Sequence, residues 1–265
     1  MLSDGKRARE GDRAAANRIT AILKNEKRHH RSAAIRLGTF FKTSAEFWMN
    51  LQMTYGAKMQ TEEFEDVLRF WFPDLSNANH AQLVRQFEWW FRGGADAAIT
   101  ERFASLLERA IRGDLDHWAR QARSRLALII VLDQFSRTLY RNTARAFAQD
   151  PKALKLALEG IEIGHYAALA TPWEKTFFFL PVGHSEDFSH LERAVELAEE
   201  LVECAPPEFR KILEHSASQA RGHRDVIARF GRHPHRNAVL GRQSTPEELE
   251  YLARGEFVHT REVPK

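Results

Sequence analysis

Residues 230–242 read Phe-Gly-Arg-His-Pro-His-Arg-Asn-Ala-Val-Leu-Gly-Arg. This segment holds three arginines, two histidines and an asparagine, and it is interrupted by Gly231, Pro234 and Gly241. Because glycine and proline interrupt regular helix geometry, the segment predicts a loop and not a continuous helix. A loop with these side chains is expected to bind an anion or to pair with a set of carboxylates.

Helical periodicity extends over the sequence around this loop, from Met59 onward. Apolar residues recur every three to four positions, and glycine or proline ends most of the runs. No alternating run of useful length predicts a β-strand. The spacing predicts helices over residues 61–72, 79–92, 95–112, 122–141, 150–164, 171–180, 185–206, 207–230 and 245–255. Eight or so helices joined by short loops predict an all-α array of antiparallel helix hairpins.

The composition excludes several classes of protein. The chain has 265 residues, 43% of them hydrophobic, with 18 phenylalanines and 6 tryptophans, which is enough for a globular core. It has no run of about 18 apolar residues, so no segment is predicted to span a membrane and no membrane partner is expected. Its one cysteine, Cys204, forms no intramolecular disulfide and supplies no thiolate set for structural zinc. We expect a cytoplasmic protein with no cofactor.

Basic residues are concentrated at the start of the chain. Residues 1–58 contain 12 lysines and arginines against 5 acids, so the rest carries about −4 although the total charge is +3. We expect a basic extension over residues 1–58, mostly disordered up to residue 38, and a single domain over residues 59–265. Nucleic acid binding is not expected of that folded domain.

This extension has three interpretations. It fits a targeting segment, a nucleic-acid-binding arm, or translation from a start codon placed too far upstream. The third is favoured, because Thr61 is a plausible N-cap just after Met59. Residues 1–58 are therefore predicted to be dispensable for folding.

The predicted helix over residues 122–141 is apolar on nearly all sides, which is typical of a helix inside a protein. Asp133 lies on the same face as Leu126, and Arg137 and Arg141 follow at intervals of one turn. A buried carboxylate is costly unless it is paired. Asp133 is therefore predicted to meet an arginine.

Capping patterns indicate where other helices start. Residues 171–174 and 245–248 both read Thr-Pro-x-Glu, which has the spacing of a capping box. In residues 184–187, His-Ser-Glu-Asp, Ser185 is predicted to be the N-cap of the following helix. His223 falls on an apolar face of its helix and is predicted to point inward.

Several segments occur together in an order that is specific. They are Val67-Leu68-Arg69-Phe70-Trp71-Phe72, Leu132-Asp133-Gln134-Phe135-Ser136-Arg137, Arg141-Asn142-Thr143-Ala144-Arg145-Ala146-Phe147, Leu180-Pro181-Val182-Gly183-His184-Ser185-Glu186-Asp187 and the loop over residues 230–242. Over roughly residues 59–252 the chain thereby resembles the bacterial family called domain of unknown function 924. The resemblance implies a right-handed superhelix similar to tetratricopeptide-repeat proteins, and it implies no particular reaction. The family usually has an aromatic residue and an asparagine where this chain has His233 and Thr138.

The polar residues of these motifs are of types that transfer protons and bind anions. Arginine presents a planar fork to carboxylates and phosphates. We expect a pocket for a small anionic ligand that bears a phosphate or a carboxylate, with acid/base catalysis as a further expectation. The candidate catalytic residues are His184, Glu186 and His235. The candidate ligand-binding residues are Asp133, Arg137, Arg141, Asp187, His223, Arg232, Arg236 and Asn237.

Three geometric expectations follow from the two loops that carry these residues. His184, Glu186, His235 and Arg236 are predicted to line one shared cavity, because each charged loop must find partners. Asp187 is predicted to be the acid that pairs with an arginine. Arg236 is expected either to bind the ligand or to neutralise a buried Glu186 or Asp187.

Other functions are compatible with the same residues. A tetratricopeptide-like scaffold would use the charged motifs structurally and bind a peptide, and RNA binding is less favoured than either. A metal site is disfavoured, because arginines lie beside the histidines and no His-x-x-x-His or cysteine pair occurs. A Ser-His-Asp hydrolase would need Ser185 as nucleophile, in a position that suits an N-cap. The expected partner is therefore a small anionic metabolite or a peptide.

Overall fold

The structure of the protein, a computed structural model, describes residues 30–75, 77–255 and 257–258. Over these residues the chain is all-α and contains no β-strand, which confirms the predicted fold class. The helices of this part of the chain are α1 (His30–Phe41), α2 (Ala45–Trp71), α3 (His80–Phe91), α4 (Asp96–Arg112), α5 (Ala122–Ile130), α6 (Ser136–Leu139), α7 (Asp150–Glu162), α8 (Pro172–Gly183), α9 (Phe188–Cys204), α10 (Pro207–Phe230) and α11 (Pro246–Arg254). The right-handed superhelix stays a prediction.

The described part of the chain divides into two compact units, one ending at Asp66 and the other beginning at Val67. All candidate site residues belong to the second unit. Among the described helices, none is both long enough and apolar enough to cross a membrane. The prediction that residues 1–58 form a dispensable extension stays a prediction.

From His30 onward, the basic extension is more helical than its composition predicts. Of the segment predicted to be mostly disordered, residues 1–29 lie outside the described residues, whereas the part from His30 onward belongs to α1. The helix predicted to begin after Thr61 begins instead at Ala45. No proline interrupts it, and a single glycine, Gly56, is tolerated inside a helix.

The buried helix predicted over residues 122–141 is observed as α5 and α6, joined by a π-helical turn at Val131–Phe135. Residues 126–132 have no exposed surface, because α7 and α8 pack against α5. Single π-helical turns within α-helices are rare and occur frequently at functional sites. Asp133 lies in this turn.

Aromatic side chains form the core around the π-helical turn. The ring of Trp71 lies 5.5 Å from that of Phe135 and 5.4 Å from that of Phe177, both in edge-on geometry. The indole N–H of Trp90 donates a hydrogen bond of 2.8 Å to the carbonyl oxygen of Trp71. These contacts join α3, α8 and the end of α2 to the turn that carries Asp133.

Helices α8, α9 and α10 follow one another along the chain and pack together. Both predicted capping boxes are present, at Thr171 before α8 and at Thr245 before α11. The N-cap of α9 is Asp187 and not the predicted Ser185, because Asp187 Oδ1 accepts the Ser189 backbone N–H at 2.9 Å. Ser185 Oγ lies instead 3.0 Å from a ring nitrogen of His190.

Candidate functional site

A buried carboxylate in the π-helical turn is the first feature of the candidate site. Asp133 is 1% exposed, and its Oδ1 lies 3.0 Å from Arg137 Nη1 and 2.9 Å from His184 Nδ1. Gln134 Nε2 donates to the other oxygen at 2.6 Å. Burial alone would raise the pKa of Asp133, but the charge of Arg137 and these hydrogen bonds hold it well below its usual range. The prediction that Asp133 meets an arginine is confirmed.

His184 is oriented by that carboxylate. It follows the last residue of α8, and its backbone N–H donates to the Leu180 carbonyl at 3.0 Å. Because an ionised carboxylate only accepts hydrogen bonds, Nδ1 of His184 carries the shared proton. The other ring nitrogen, Nε2, makes no hydrogen bond within the described residues.

A cavity of about 170 Å³ lies beside His184, between α3, α8, α9 and α10. Most of its wall is apolar and includes Phe87, Phe91, Phe179 and Leu180. Its polar lining consists of His184, His223, Thr176, Ser216 and Gln219. No Asp, Glu, Lys or Arg of the described chain lines it. An apolar pocket with a few convergent polar groups is the usual form of a small-molecule site.

Sequence reasoning missed two polar residues of this cavity. Ser216 and Gln219 lie on α10 together with His223, at positions i, i+3 and i+7. That spacing places them on one face of a helix and was the signal that could have identified them. Gln134, which donates to Asp133, was likewise missed although it stands inside a quoted motif.

The arginine loop (residues 231–242) meets the loop after α8 through one ion pair. Arg242 donates from both terminal nitrogens to the carboxylate of Glu186, at 2.7 and 3.0 Å. The backbone N–H of His233 donates to the same carboxylate at 2.8 Å. Although burial opposes ionisation, these bonds lower the pKa of Glu186. The two loops therefore converge, but Glu186 is used to hold them together.

Of the four residues predicted to share one cavity, only His184 lines the cavity beside α8. Glu186 is bound to Arg242, and Arg236 is bound to Asp150. His235 stands within the arginine loop, where its ring centroid lies 6.3 Å from that of Phe257. An ion pair connects the two loops, but the side chains of Glu186, His235 and Arg236 do not line the cavity.

Arg236 is 7% exposed and pairs with Asp150, neither with Glu186 nor with Asp187. Its Nη1 lies 3.3 Å from Asp150 Oδ2, which Arg137 Nη2 also reaches at 3.0 Å. Its guanidinium stacks over the ring of Phe147, 4.7 Å from the centroid. Burial and the neighbouring charge of Arg137 lower the pKa of Arg236 to about 10. Arg137 and Arg236 are thus balanced in charge by Asp133 and Asp150.

Arg232 and Asn237 attach α11 to the arginine loop. Arg232 forms two hydrogen bonds, of 2.6 and 2.8 Å, to the carboxylate of Glu248. The side-chain N–H of Asn237 donates to Ser244 at 3.0 Å and to Glu248 at 3.2 Å. The bond from Arg232 is the main reason that the pKa of Glu248 falls to about 2. Both candidate ligand-binding residues thus have structural partners.

Two further candidates lie away from the cavity. Arg141 is exposed and pairs with Asp96 at 2.6 Å. The prediction that Asp187 pairs with an arginine is wrong, because its carboxylate turns back to cap α9 through Ser189. The acid that meets an arginine in that loop is its neighbour, Glu186.

Three histidines lead from the cavity wall into the arginine loop. The ring centroid of His233 lies 5.6 Å from that of His223 and 5.4 Å from that of His235. His233 is 1% exposed, and neither of its ring nitrogens has a hydrogen-bond partner within the described residues. Burial, reinforced by the charge of Arg236, lowers the pKa of His233 far below its usual value. This histidine is therefore neutral in the folded protein.

A metal centre has no support in the described part of the chain. No group of three or more His, Cys, Asp or Glu side chains there could hold a metal ion. A second, more open groove of about 580 Å³ includes Phe72, Trp173, Pro206 and Phe209 in its lining, and it contains none of the candidate site residues.

The comparisons with known proteins identify the family. The model of a bacterial protein family of unknown function, DUF924, matches residues 67–256, and the chain therefore belongs to that family. Among solved structures it is similar to the protein of unknown function ATU0120 from Agrobacterium tumefaciens, with 35% identity and a TM-score of 0.56. That similarity covers 74% of this chain and 99% of the other. The search of curated proteins found no match.

Proposed function

We propose that the cavity between α3, α8, α9 and α10 binds a small ligand and that His184 exchanges a proton with it. The observation that carries the proposal is the double role of His184, which lines the cavity while its Nδ1 is held by a buried carboxylate. Glu186 and His235, the other candidate catalytic residues, have no part in this proposal, because neither lines the cavity.

The chemistry of the pair follows from its partners. Arg137 keeps Asp133 ionised, and ionised Asp133 fixes the proton of His184 on Nδ1. The lone pair of Nε2 is then directed away from Asp133 and is able to accept a proton from a ligand. The imidazolium that forms is stabilised by the carboxylate behind it, as in other carboxylate–histidine pairs that act as general bases.

One experiment tests the state of His184. In protein labelled with ¹⁵N in its histidines, the proposal requires the Nδ1-protonated tautomer of His184 at neutral pH. Asp133→Asn should shift the ring toward a mixture of tautomers, because the amide no longer requires a donor. Finding the Nε2-protonated tautomer in the wild type would remove the base from the cavity and end the proposal.

A second experiment tests whether the cavity accepts ligands. A fragment screen by protein NMR should yield compounds whose binding is lost in Ala220→Leu, because Ala220 lines the cavity and the larger side chain fills it. Ala228→Leu, on an exposed position of the same helix, is the matched control and should leave binding unchanged. Fragments that bind both variants equally would lie elsewhere, which would contradict the proposal.

The second candidate function is the peptide-binding scaffold. It is favoured by the larger groove, where Phe72, Trp173 and Phe209 offer aromatic surface beside prolines. Peptides selected by display on the whole protein should then lose binding in Phe209→Ser and keep it in His184→Gln. The opposite pattern would assign the selected peptides to the His184 cavity.

A further inference from the structure

We infer that the ligand of the His184 cavity is a phenol, an uncharged molecule of one aromatic ring whose hydroxyl donates a hydrogen bond to His184 Nε2. The inference rests on the proposed function, since it assigns a ligand class to the same cavity. Three observations carry it: the size of the apolar space, the absence of charged side chains from its described lining, and the tautomer of His184.

The space favours a ligand with a single ring. The cavity encloses about 170 Å³, and an apolar cavity of about 150 Å³ lined by Leu, Ile and Phe binds benzene. Phe87, Phe91 and Phe179 contribute aromatic side chains to the wall, and aromatic rings pack favourably on one another in offset or edge-on geometry. The cavity therefore has room for one ring and a small substituent.

The described lining favours an uncharged ligand. It contains no Lys or Arg that would bind an anion and no Asp or Glu that would bind a cation. Asp133 contacts His184 but does not line the cavity, and Arg137, Gln134 and His184 already bind its carboxylate. Burying an ion without a partner of opposite charge is costly. A neutral molecule is therefore expected.

His184 requires a hydrogen-bond donor on that molecule. Because ionised Asp133 accepts the proton of Nδ1, Nε2 of the neutral imidazole has a lone pair and acts as an acceptor. Nε2 makes no hydrogen bond within the described residues and is not fully buried, and the His184 side chain is 19% exposed. An ether or a ketone of the same size would bring only acceptors to this nitrogen.

The other polar side chains of the lining are consistent with a hydroxyl group. Thr176 donates to a backbone carbonyl at 2.9 Å, and the side-chain nitrogen of Gln219 lies 3.0 Å from His215 Nε2, so both have partners. The hydroxyl of Ser216 makes no hydrogen bond within the described residues and is able to donate to a ligand oxygen. No part is assigned to His223, whose ring contacts that of another histidine. A ligand hydroxyl both donates and accepts, which suits His184 and Ser216.

An aromatic hydroxyl suits the proposed proton exchange better than an aliphatic one. A phenolic O–H, as in tyrosine, has a pKa of about 10 and is more acidic than the O–H of an alcohol. A neutral imidazole therefore takes its proton more readily. The transfer moves the hydroxyl proton to Nε2 and leaves a phenolate beside an imidazolium, and no further reactant is needed.

The test compares phenol with anisole, toluene and benzoate on the full chain at neutral pH. Anisole keeps the ring and the oxygen but has no hydroxyl proton, and toluene has no oxygen. Phenol is expected to bind about fivefold more tightly than either, as one neutral hydrogen bond would provide. Benzoate, a charged acceptor, is expected to bind more weakly than phenol. Isothermal titration calorimetry measures the dissociation constants, with protein NMR for the weakest binders.

Variants locate the hydrogen bond. His184→Leu removes the acceptor and should reduce the affinity for phenol to that for toluene. Asp133→Asn, which no longer requires a donor at Nδ1, should lower the preference for phenol over anisole in the same direction. Ser216→Ala should weaken phenol and not toluene. Ser218→Ala is the matched control on the same helix and should change neither, because Ser218 does not line the cavity.

The outcomes separate the ligand class from the proposed function. Anisole or toluene binding as tightly as phenol would overturn the phenol and leave the cavity as a ligand site, and so would tighter binding of benzoate. Phenol bound equally well by Ala220→Leu would lie outside the cavity and would also overturn the inference. If no probe binds, phenols are not the ligand class, and the fragment screen decides independently whether the cavity binds another ligand.

Discussion

In the arginine loop, Arg232, Arg236 and Arg242 each face a carboxylate from another part of the chain. In the cavity wall, by contrast, His184 has one ring nitrogen held by a carboxylate, and the other makes no hydrogen bond within the described residues. Both regions carry the residue types that are common in catalytic sites. They differ in charge pairing, because each of these arginines already has a carboxylate partner, although several buried polar atoms of the loop, among them both ring nitrogens of His233, have no hydrogen-bond partner within the described residues.

The carboxylates that pair with the arginine loop explain this difference by their positions in the chain. Glu248 is the N3 residue of the capping box that begins at Thr245, and Asp150 is the first residue of α7. Carboxylates are placed at such positions because they stabilise the positive end of a helix. Arginines from the loop then bind to these helix starts and hold the helix ends together. The arginines of the loop thus have architectural partners, and our proposal assigns the proton exchange to His184.

Replacing Asp133 should damage both regions and have the largest effect. Asp133→Ala removes the partner of His184 and leaves Arg137 with a single carboxylate in a buried network. Breaking a buried pair from one side costs about 3–5 kcal/mol in the free energy of unfolding. Urea unfolding followed by tryptophan fluorescence measures this loss.

The control for Asp133→Ala is Asp225→Ala, which removes an exposed acid. A surface substitution of this kind should change the unfolding free energy by less than about 0.5 kcal/mol. Equal losses in the two variants would mean that the Asp133 network does not stabilise the fold.

Replacing Arg236 should damage the arginine loop alone. Asp150 keeps Arg137 as partner when Arg236→Ala is made, so the expected loss is smaller, about 1–3 kcal/mol for a buried hydrogen bond. Ligand binding to the His184 cavity should not change, because Arg236 does not line it. Stability retained together with lost binding would instead make Arg236 a ligand residue, and Arg229→Ala, an exposed ion-pair variant, serves as control.

Lowering the pH should reduce the stability of the fold through His233, which is buried and does not line the cavity. His233 is buried with a lowered pKa, whereas a histidine in the unfolded chain titrates near about 6.5. Its contribution to stability is therefore complete above that pH. Below it the unfolded chain binds a proton that the folded state refuses, and stability falls by about 1.4 kcal/mol per pH unit.

His233→Phe removes this proton uptake and fills the site with the kind of residue that the family usually has. The difference in unfolding free energy between variant and wild type should grow as the pH is lowered from 7 to 5. Ala228→Leu, at an exposed position without a titratable side chain, should show no such growth. If the unfolding free energies of His233→Phe and the wild type changed in parallel with pH, His233 would take up a proton in the folded protein as readily as in the unfolded chain. The prediction would then be wrong.

Local patterns were sufficient for most of the helices. The capping boxes at Thr171 and Thr245 depend on residues within a few turns of one another and are observed as predicted. The segment with Asp133 is buried as predicted, although a π-helical turn interrupts its α-helix. The start of α2 was wrong, because a plausible N-cap at Thr61 does not end a helix that nothing interrupts. The prediction of Ser185 as the N-cap of α9 was also wrong, because Ser185 and Asp187 are both good N-caps and the local pattern does not distinguish them.

The candidate site could be predicted only in part. His184 and His223 lie on one cavity although 39 positions separate them, and the sequence gives their residue types but not the packing of α8 on α10. Arg236 pairs with Asp150 because the start of α7 lies beside the arginine loop, although 86 positions separate the two residues. Partners over such distances are set by tertiary packing, which no local pattern contains.

Replacing Arg141 should have the smallest effect on stability. It tests whether belonging to a quoted motif implies a role in the candidate site. It belongs to a quoted motif and follows Arg137 by one turn, but its side chain is 56% exposed and its partner Asp96 lies on α4. An exposed ion pair contributes about 0–1 kcal/mol, so Arg141→Ala should shift the unfolding midpoint only slightly and leave ligand binding to the His184 cavity unchanged. Arg137→Ala, measured in parallel, should lose both stability and binding, because Arg137 keeps ionised the carboxylate that orients His184. If Arg141→Ala weakened the ligand as strongly as Arg137→Ala, the motif would act as one unit, and the separation between exposed arginine and cavity histidine would not hold.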